Sequence, residues 1–170
     1  MKKHIGIISI AALWLLIAVG LITVKQAVIY NGTRIILETK PVDPYDILKG
    51  DYVRLNYAIN TVQNMTLEGN YLLVSRRYYV LLKQDENLSW QVDAITAKRP
   101  ENKLFIAGLW NGRRMVYGIE EYFVPEGKGR DIERLSGAGL QVEVAVDKNG
   151  NSVIVRLMDK GAELKIRDIK

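Results

Sequence analysis

Asp43, Asp46 and Asp51 crowd a short stretch that also carries Pro41 and Pro44, and Glu120 and Glu121 stand side by side farther along the chain. Carboxylates grouped in this way suit a hard cation such as calcium or magnesium, which takes oxygen ligands. The spacing fits no calcium loop. Aspartates beside prolines are also ordinary turn residues, where their side chains accept hydrogen bonds from nearby backbone amides. The same residues therefore support two readings, a divalent-cation site and a turn capped by its own side chains.

Hydrolytic chemistry needs a nucleophile with a base in hydrogen-bond reach. Glu38 to Lys49 contains no serine, and Ser75, Ser89 and Ser136 have no lysine partner that spacing identifies. The single histidine, His4, precedes the apolar N-terminal run, which excludes a histidine triad from the segment that follows it. The chain has no cysteine, so disulfides, thiolate metal sites and a thiol nucleophile are excluded. No catalytic residue and no cofactor is assigned. A hydrolase, or a cation-binding domain built on Asp43, Asp46 and Asp51, stands as the alternative to a binding module.

These residues must be held by the rest of the chain, whose first part is a run without a charged residue from Ile5 to Val24. Twenty residues make a helix of roughly 30 Å at ~1.5 Å per residue, the thickness of a bilayer's hydrocarbon core. Lys2 and Lys3 precede it, so the positive-inside rule keeps residues 1–4 cytoplasmic, spans the lipid with 5–24 and exports 25–170 across an inner membrane. Ala18-Val19-Gly20 offers a cleavage site, but the apolar run continues past it, which favours an uncleaved anchor. Two of the 24 basic residues lie before the span, leaving 22 against 19 acidic ones, a net +3 on the exported part. Acids and bases alternate there, which argues against nucleic-acid binding. Arg76-Arg77 and Arg113-Arg114 are the densest basic spots, read as solvated strand ends or contacts with anionic headgroups.

About 145 exported residues suffice for one core. Short runs rich in Val, Ile, Leu and Tyr recur between turn signals, at Arg34 to Thr39, Tyr52 to Ile59, Arg77 to Leu82, Ser89 to Thr96, Lys103 to Leu109, Arg114 to Ile119, Leu140 to Val146 and Ser152 to Leu157. Asn149-Gly150 and Asn111-Gly112 mark hairpins. In the first of these, Val142, Val144 and Val146 are expected to face the core, with Gln141, Glu143 and Ala145 on the wet face. Tyr78 and Tyr79 must face opposite sides of their strand. One short helix is expected over Lys128 to Leu135. The pattern predicts a mainly β fold: a transmembrane helix followed by one antiparallel domain, barrel-like or a rolled sheet.

Gly50-Asp51-Tyr52-Val53-Arg54-Leu55-Asn56-Tyr57 reads as a turn followed by a strand. Gly50 supplies backbone freedom, Asp51 caps the turn, and Val53, Leu55 and Tyr57 share the face opposite Tyr52, Arg54 and Asn56. By this word the chain resembles the GDYXXLXY family of membrane-anchored, mostly bacterial proteins, with Gly50, Asp51, Tyr52, Leu55 and Tyr57 at its defining positions. Tyr117-Gly118-Ile119-Glu120-Glu121-Tyr122-Phe123-Val124-Pro125-Glu126-Gly127-Lys128-Gly129 resembles the family's second block. The resemblance implies no established activity. Members are often encoded beside multi-pass membrane proteins, which implies a membrane-complex partner. The expectation is a non-catalytic, exported binding or assembly module, with Asp43, Asp46, Gly50, Asp51, Tyr52, Arg54, Leu55, Tyr57 and Glu120 as its structural or recognition residues.

Overall fold

In the computed structural model, residues 2–41, 52–62, 72–85, 88–125, 139–159 and 161–164 are described, with the separate positions 132 and 135. The apolar run winds into α1 (Lys2–Asn31), one helix long and apolar enough to cross a membrane; its candidate span, Ser9–Asn31, has a mean hydropathy of 2.1 and is almost wholly unburied. The helix continues through Lys25 and stops at Gly32, whose N–H donates to Val28 O (2.9 Å). A Cβ on Gly32 would lie 2.5 Å from that oxygen and 3.1 Å from the Val146 backbone, so only glycine lets the chain turn this closely into the sheet. Arg34 reaches back and donates from Nη2 to Ile29 O (2.7 Å), placing a cation on the carbonyl end of α1. Val28 is buried, so the last turn of the helix is packed into the folded domain.

Eleven strands follow among the described residues: β1 (Thr33–Lys40), β2 (Tyr52–Arg54), β3 (Asn56–Tyr57), β4 (Arg77–Gln84), β5 (Trp90–Thr96), β6 (Phe105–Trp110), β7 (Met115–Val116), β8 (Glu121–Phe123), β9 (Gln141–Val146), β10 (Ser152–Asp159) and β11 (Ala162–Glu163). All are paired antiparallel, in three open sheets of order β11-β10-β9-β1-β3, β5-β4-β6-β7 and β2-β8. The mainly β, antiparallel architecture matches the sequence pattern, and the described strands form no closed barrel. Ile35, Leu37, Val53, Val80, Ile106 and Val142 fill a shared core between the sheets.

The β9–β10 hairpin forms where Asn149-Gly150 places it. Asp147 Oδ1 accepts from the N–H groups of Asn149 (2.8 Å) and Asn151 (2.9 Å), and Gly150 has φ +80°. Val142, Val144 and Val146 are buried as the alternation requires, but Ala145 is buried as well. It sits in the ladder directly between Arg34 and Val153, and its single methyl does not reach past them. Glu143 on the same strand is ion-paired with Arg34 (3.9 Å) and Arg156. Tyr78 is buried and Tyr79 half-buried, on opposite faces, with the Tyr79 ring edge-on to Phe105 at 5.4 Å between centroids. Of Lys128 to Leu135, the described residues Ile132 and Leu135 are helical, and Ile132 is buried.

Two expected strands are shorter than their apolar pattern. Arg114 to Ile119 yields only β7, because the chain turns at Gly118 (φ +80°). Tyr52 to Ile59 is divided into β2, β3 and a 3-10 turn at Ala58–Asn60. The cause of both departures lies in the site.

Candidate functional site

The signature word bridges two sheets. β2 pairs with β8, setting Val53 opposite Tyr122 and Arg54 opposite Glu121, whereas β3 pairs with β1, setting Tyr57 opposite Thr39. Leu55 stands at the break, and its N–H donates to Glu120 O (2.7 Å). Val53, Leu55 and Tyr57 are completely buried, as their shared face predicts. Asn60 then bends the chain: its Oδ1 accepts from Tyr57 N–H at 2.5 Å, taking a backbone donor that would otherwise extend the strand.

Glu120, an acid in the second block, is 7% exposed, and both of its oxygens accept hydrogen bonds. Its Oε1 accepts from Tyr117 N–H (2.7 Å) and Asn60 Nδ2 (3.1 Å), and its Oε2 accepts from Gly118 N–H (2.8 Å). A carboxylate three residues after Tyr117 can curl back on its own turn in this way because Gly118 adopts positive φ without strain. Asn60 Nδ2 also donates to Met115 O (2.7 Å). Two tyrosines close the arrangement reciprocally: Tyr57 Oη–H donates to Ile119 O (2.6 Å), and Tyr117 Oη–H donates to Ile59 O (2.6 Å). Ser152 Oγ–H reaches Tyr117 O (3.4 Å), tying in β10.

Burial raises the pKa of both phenols well above its ordinary value, and the nearby Glu120 charge raises it further. Both rings stay neutral donors at physiological pH. The set is therefore a buried polar clip in which each carboxylate oxygen, amide and hydroxyl has a partner, and such a network fixes one packing.

Asp43, Asp46, Gly50 and Asp51 lie outside the described residues. Tyr52 lies on β2 opposite Phe123. Of the outward residues in the signature, Asn56 is held by Arg114, whose Nη1 donates to its Oδ1 (3.3 Å), and Arg54 is half-buried. Among the described residues no three of His, Cys, Asp or Glu group as a metal site.

Two clefts border this framework. One of about 340 Å³ lies beside the 3-10 turn and is lined by Glu38, Lys40, Ile59, Ser89 and Trp90 among others. It brings Ser89 and Lys40 to one place, which spacing does not reveal, but Ser89 is 2% exposed and its Oγ–H donates to Glu38 Oε1 (2.8 Å). Ser89 thereby ties the β4–β5 turn to β1 and presents no open nucleophile. The other cleft, of about 860 Å³, lies where α1 ends, between Asn31, Thr33, Trp90 and the Arg99 and Lys148 loops; Arg99 Nη2 donates to Lys148 O (2.8 Å).

The GDYXXLXY protein family model matches residues 14–157, covering α1 from Trp14 onward, the signature, the Glu120 clip and the β9–β10 hairpin. The chain belongs to the GDYXXLXY family. No curated protein and no solved structure matches it. In this family member the residues that name the signature, Leu55 and Tyr57, serve the core and the clip. Asn60, Tyr117 and Ser152 complete that clip, and residue type alone gives none of them this role. The sequence signal that identifies them is Tyr-Gly-x-Glu at 117–120, a glycine-assisted return of a carboxylate onto its own turn.

Proposed function

We propose that this GDYXXLXY protein is a single-pass, non-catalytic assembly module, with its N-terminus cytoplasmic and its β domain outside an inner membrane, working with a multi-pass membrane protein. One observation carries the reading: Glu120, the buried acid of the second block, has both oxygens accepting from backbone and Asn60 donors. A metal ligand or general base needs a lone pair facing its ion or substrate, and a general acid needs its proton facing the substrate. The signature instead joins β1 and β8 through its own strands β2 and β3, which is the work of a framework. A rigid domain fixed to an apolar helix by Gly32, Val28 and Arg34 is suited to presenting a surface at a set height above lipid.

The test is in-cell crosslinking followed by purification of the full chain in mild detergent. Recovery of one multi-pass protein, dependent on crosslinker and reproducible across preparations, supports the reading. A monomeric chain without a membrane partner contradicts it, as does turnover of ester or peptide substrates that is abolished by Glu120→Gln in a chain that remains folded at the assay temperature.

A further inference from the structure

The two arginine pairs are 36 residues apart at their nearest members, and the fold brings them to one tip. Ser75 N–H donates to Trp110 O (2.7 Å) and Trp110 N–H donates to Arg76 O (3.2 Å), joining the turn before β4 to the end of β6. Asn111 closes the β6–β7 turn, its Oδ1 accepting from the N–H groups of Arg113 and Arg114 (both 2.9 Å). Arg77 lies directly opposite Leu109 in the β4–β6 ladder, so the two side chains share a face. Val74 packs against the turn itself, 3.5 Å from where a Cβ on Gly112 would stand.

Arg76, Arg77 and Arg113 are exposed, and Arg114 is half-buried on Asn56 of the signature. Among the described residues, no acidic side chain forms an ion pair with any of the four. Elsewhere on the domain, Arg34 and Arg156 pair with Glu143, and Lys83 pairs with Asp93. Leu73, Val74 and Leu109 are 57%, 63% and 49% exposed at the same tip. Unmatched like charges and exposed aliphatic side chains both disfavour the isolated domain, and together they make a surface complementary to an acidic segment that also carries apolar side chains.

We propose that this tip docks an acidic, leucine- or valine-bearing segment of the partner protein; the inference rests on the assembly reading and names its contact surface. A protein segment is favoured over lipid by position. β6 starts at Phe105, beside the Gly150 turn near the end of α1, and Ala107 N–H donates to Gly150 O (2.9 Å). The arginines lie at the other end of β6, ~17 Å farther along at ~3.4 Å per residue.

The probe is a fluorescein-labelled peptide of alternating glutamate and leucine, titrated by anisotropy against the full chain in neutral detergent. Its lysine-leucine counterpart, polyglutamate and phosphatidylglycerol vesicles serve as comparisons. The Glu-Leu peptide is expected to bind tightest, to weaken with salt, and to lose affinity about tenfold or more in R76E/R77E/R113E, whose thermal midpoint stays unchanged. Leu73→Ser with Val74→Ser is expected to weaken the Glu-Leu peptide but not polyglutamate. Equal binding by the charge-reversed variant, equal binding of the lysine peptide, or preferential capture of the lipid vesicles overturns the proposal. Crosslinking separates the two readings: if the charge-reversed variant recovers the same partner in the same yield as wild type, the tip is not the dock and the assembly reading stands. If wild type recovers none, the assembly reading itself fails.

Discussion

Glu120→Ala removes three acceptor contacts at once, and its effect can be worked from the geometry. Tyr117 N–H loses its 2.7 Å partner in a buried position. Asn60 Nδ2 loses one of two partners and keeps Met115 O. Gly118 N–H is only partly buried, so water can replace Oε2 there. A buried donor left unsatisfied costs ~1–3 kcal/mol; one full loss plus a partial one comes to ~2–4 kcal/mol. For a domain of this size each 1 kcal/mol moves the thermal midpoint by about 2–4 °C, so a fall on the order of 10 °C is expected. Differential scanning fluorimetry on the full chain in detergent, reading its three tryptophans, measures it. Glu120→Gln should fall between the two, because its amide must turn an N–H either toward the Gly118 N–H or toward the Tyr117 N–H and Asn60 Nδ2. The reasoning is refuted if Glu120→Ala melts within a degree or two of wild type.

Other consequences of the clip are equally measurable. Tyr57→Phe and Tyr117→Phe each remove a 2.6 Å hydrogen bond to a buried carbonyl and should each cost about 1–2 kcal/mol, with less than additive loss in the double variant because both rings flank Glu120. The raised phenol pKa values have a definite sign: their stabilising contribution is complete below the unfolded tyrosine value of about 10 and is lost as pH rises beyond it, so the midpoint should hold steady from neutral pH and fall in alkali. The double phenylalanine variant should show a shallower alkaline fall, and an unchanged one would remove these tyrosines as its cause. Gly150→Ala should destabilise by more than ~1 kcal/mol in the same melts, because φ is +80° and the new Cβ would come within 2.8 Å of Ala107 N. Titration calorimetry with millimolar calcium or magnesium should give no binding heat; saturable heat abolished by Asp51→Asn would instead establish a cation site at the signature's turn.

Much of the architecture was legible because local chemistry decides it. The uncharged run has one stable solution in α1, the Asn-Gly steps at 111–112 and 149–150 allow tight turns, and the alternation of Val142, Val144 and Val146 fixes which face is buried. What was not legible depends on residues distant in sequence. The division of the signature at Leu55 is imposed by Glu120 O and Asn60 Oδ1, and neither apolar period nor β propensity carries that information. Glu120 looks from its type like a metal ligand; only Gly118 and Asn60 around it make it a cap. Outward alternation would free Arg54 and Asn56 for recognition, but the β6–β7 turn delivers Arg114 onto Asn56. The same turn unites two arginine pairs that read separately as solvated strand ends.

The framework role of the signature is most directly tested by hydrogen exchange of the full chain in detergent, resolved to Leu55, Tyr57 and Tyr117. Their amides donate to Glu120 O, Asn60 Oδ1 and Glu120 Oε1. The account predicts that these three exchange among the slowest in the domain, opening only with global unfolding, and that Glu120→Ala accelerates all three together. Exchange as fast as that of the exposed residues Glu101–Lys103, or a Glu120→Ala effect confined to Tyr117, would contradict it.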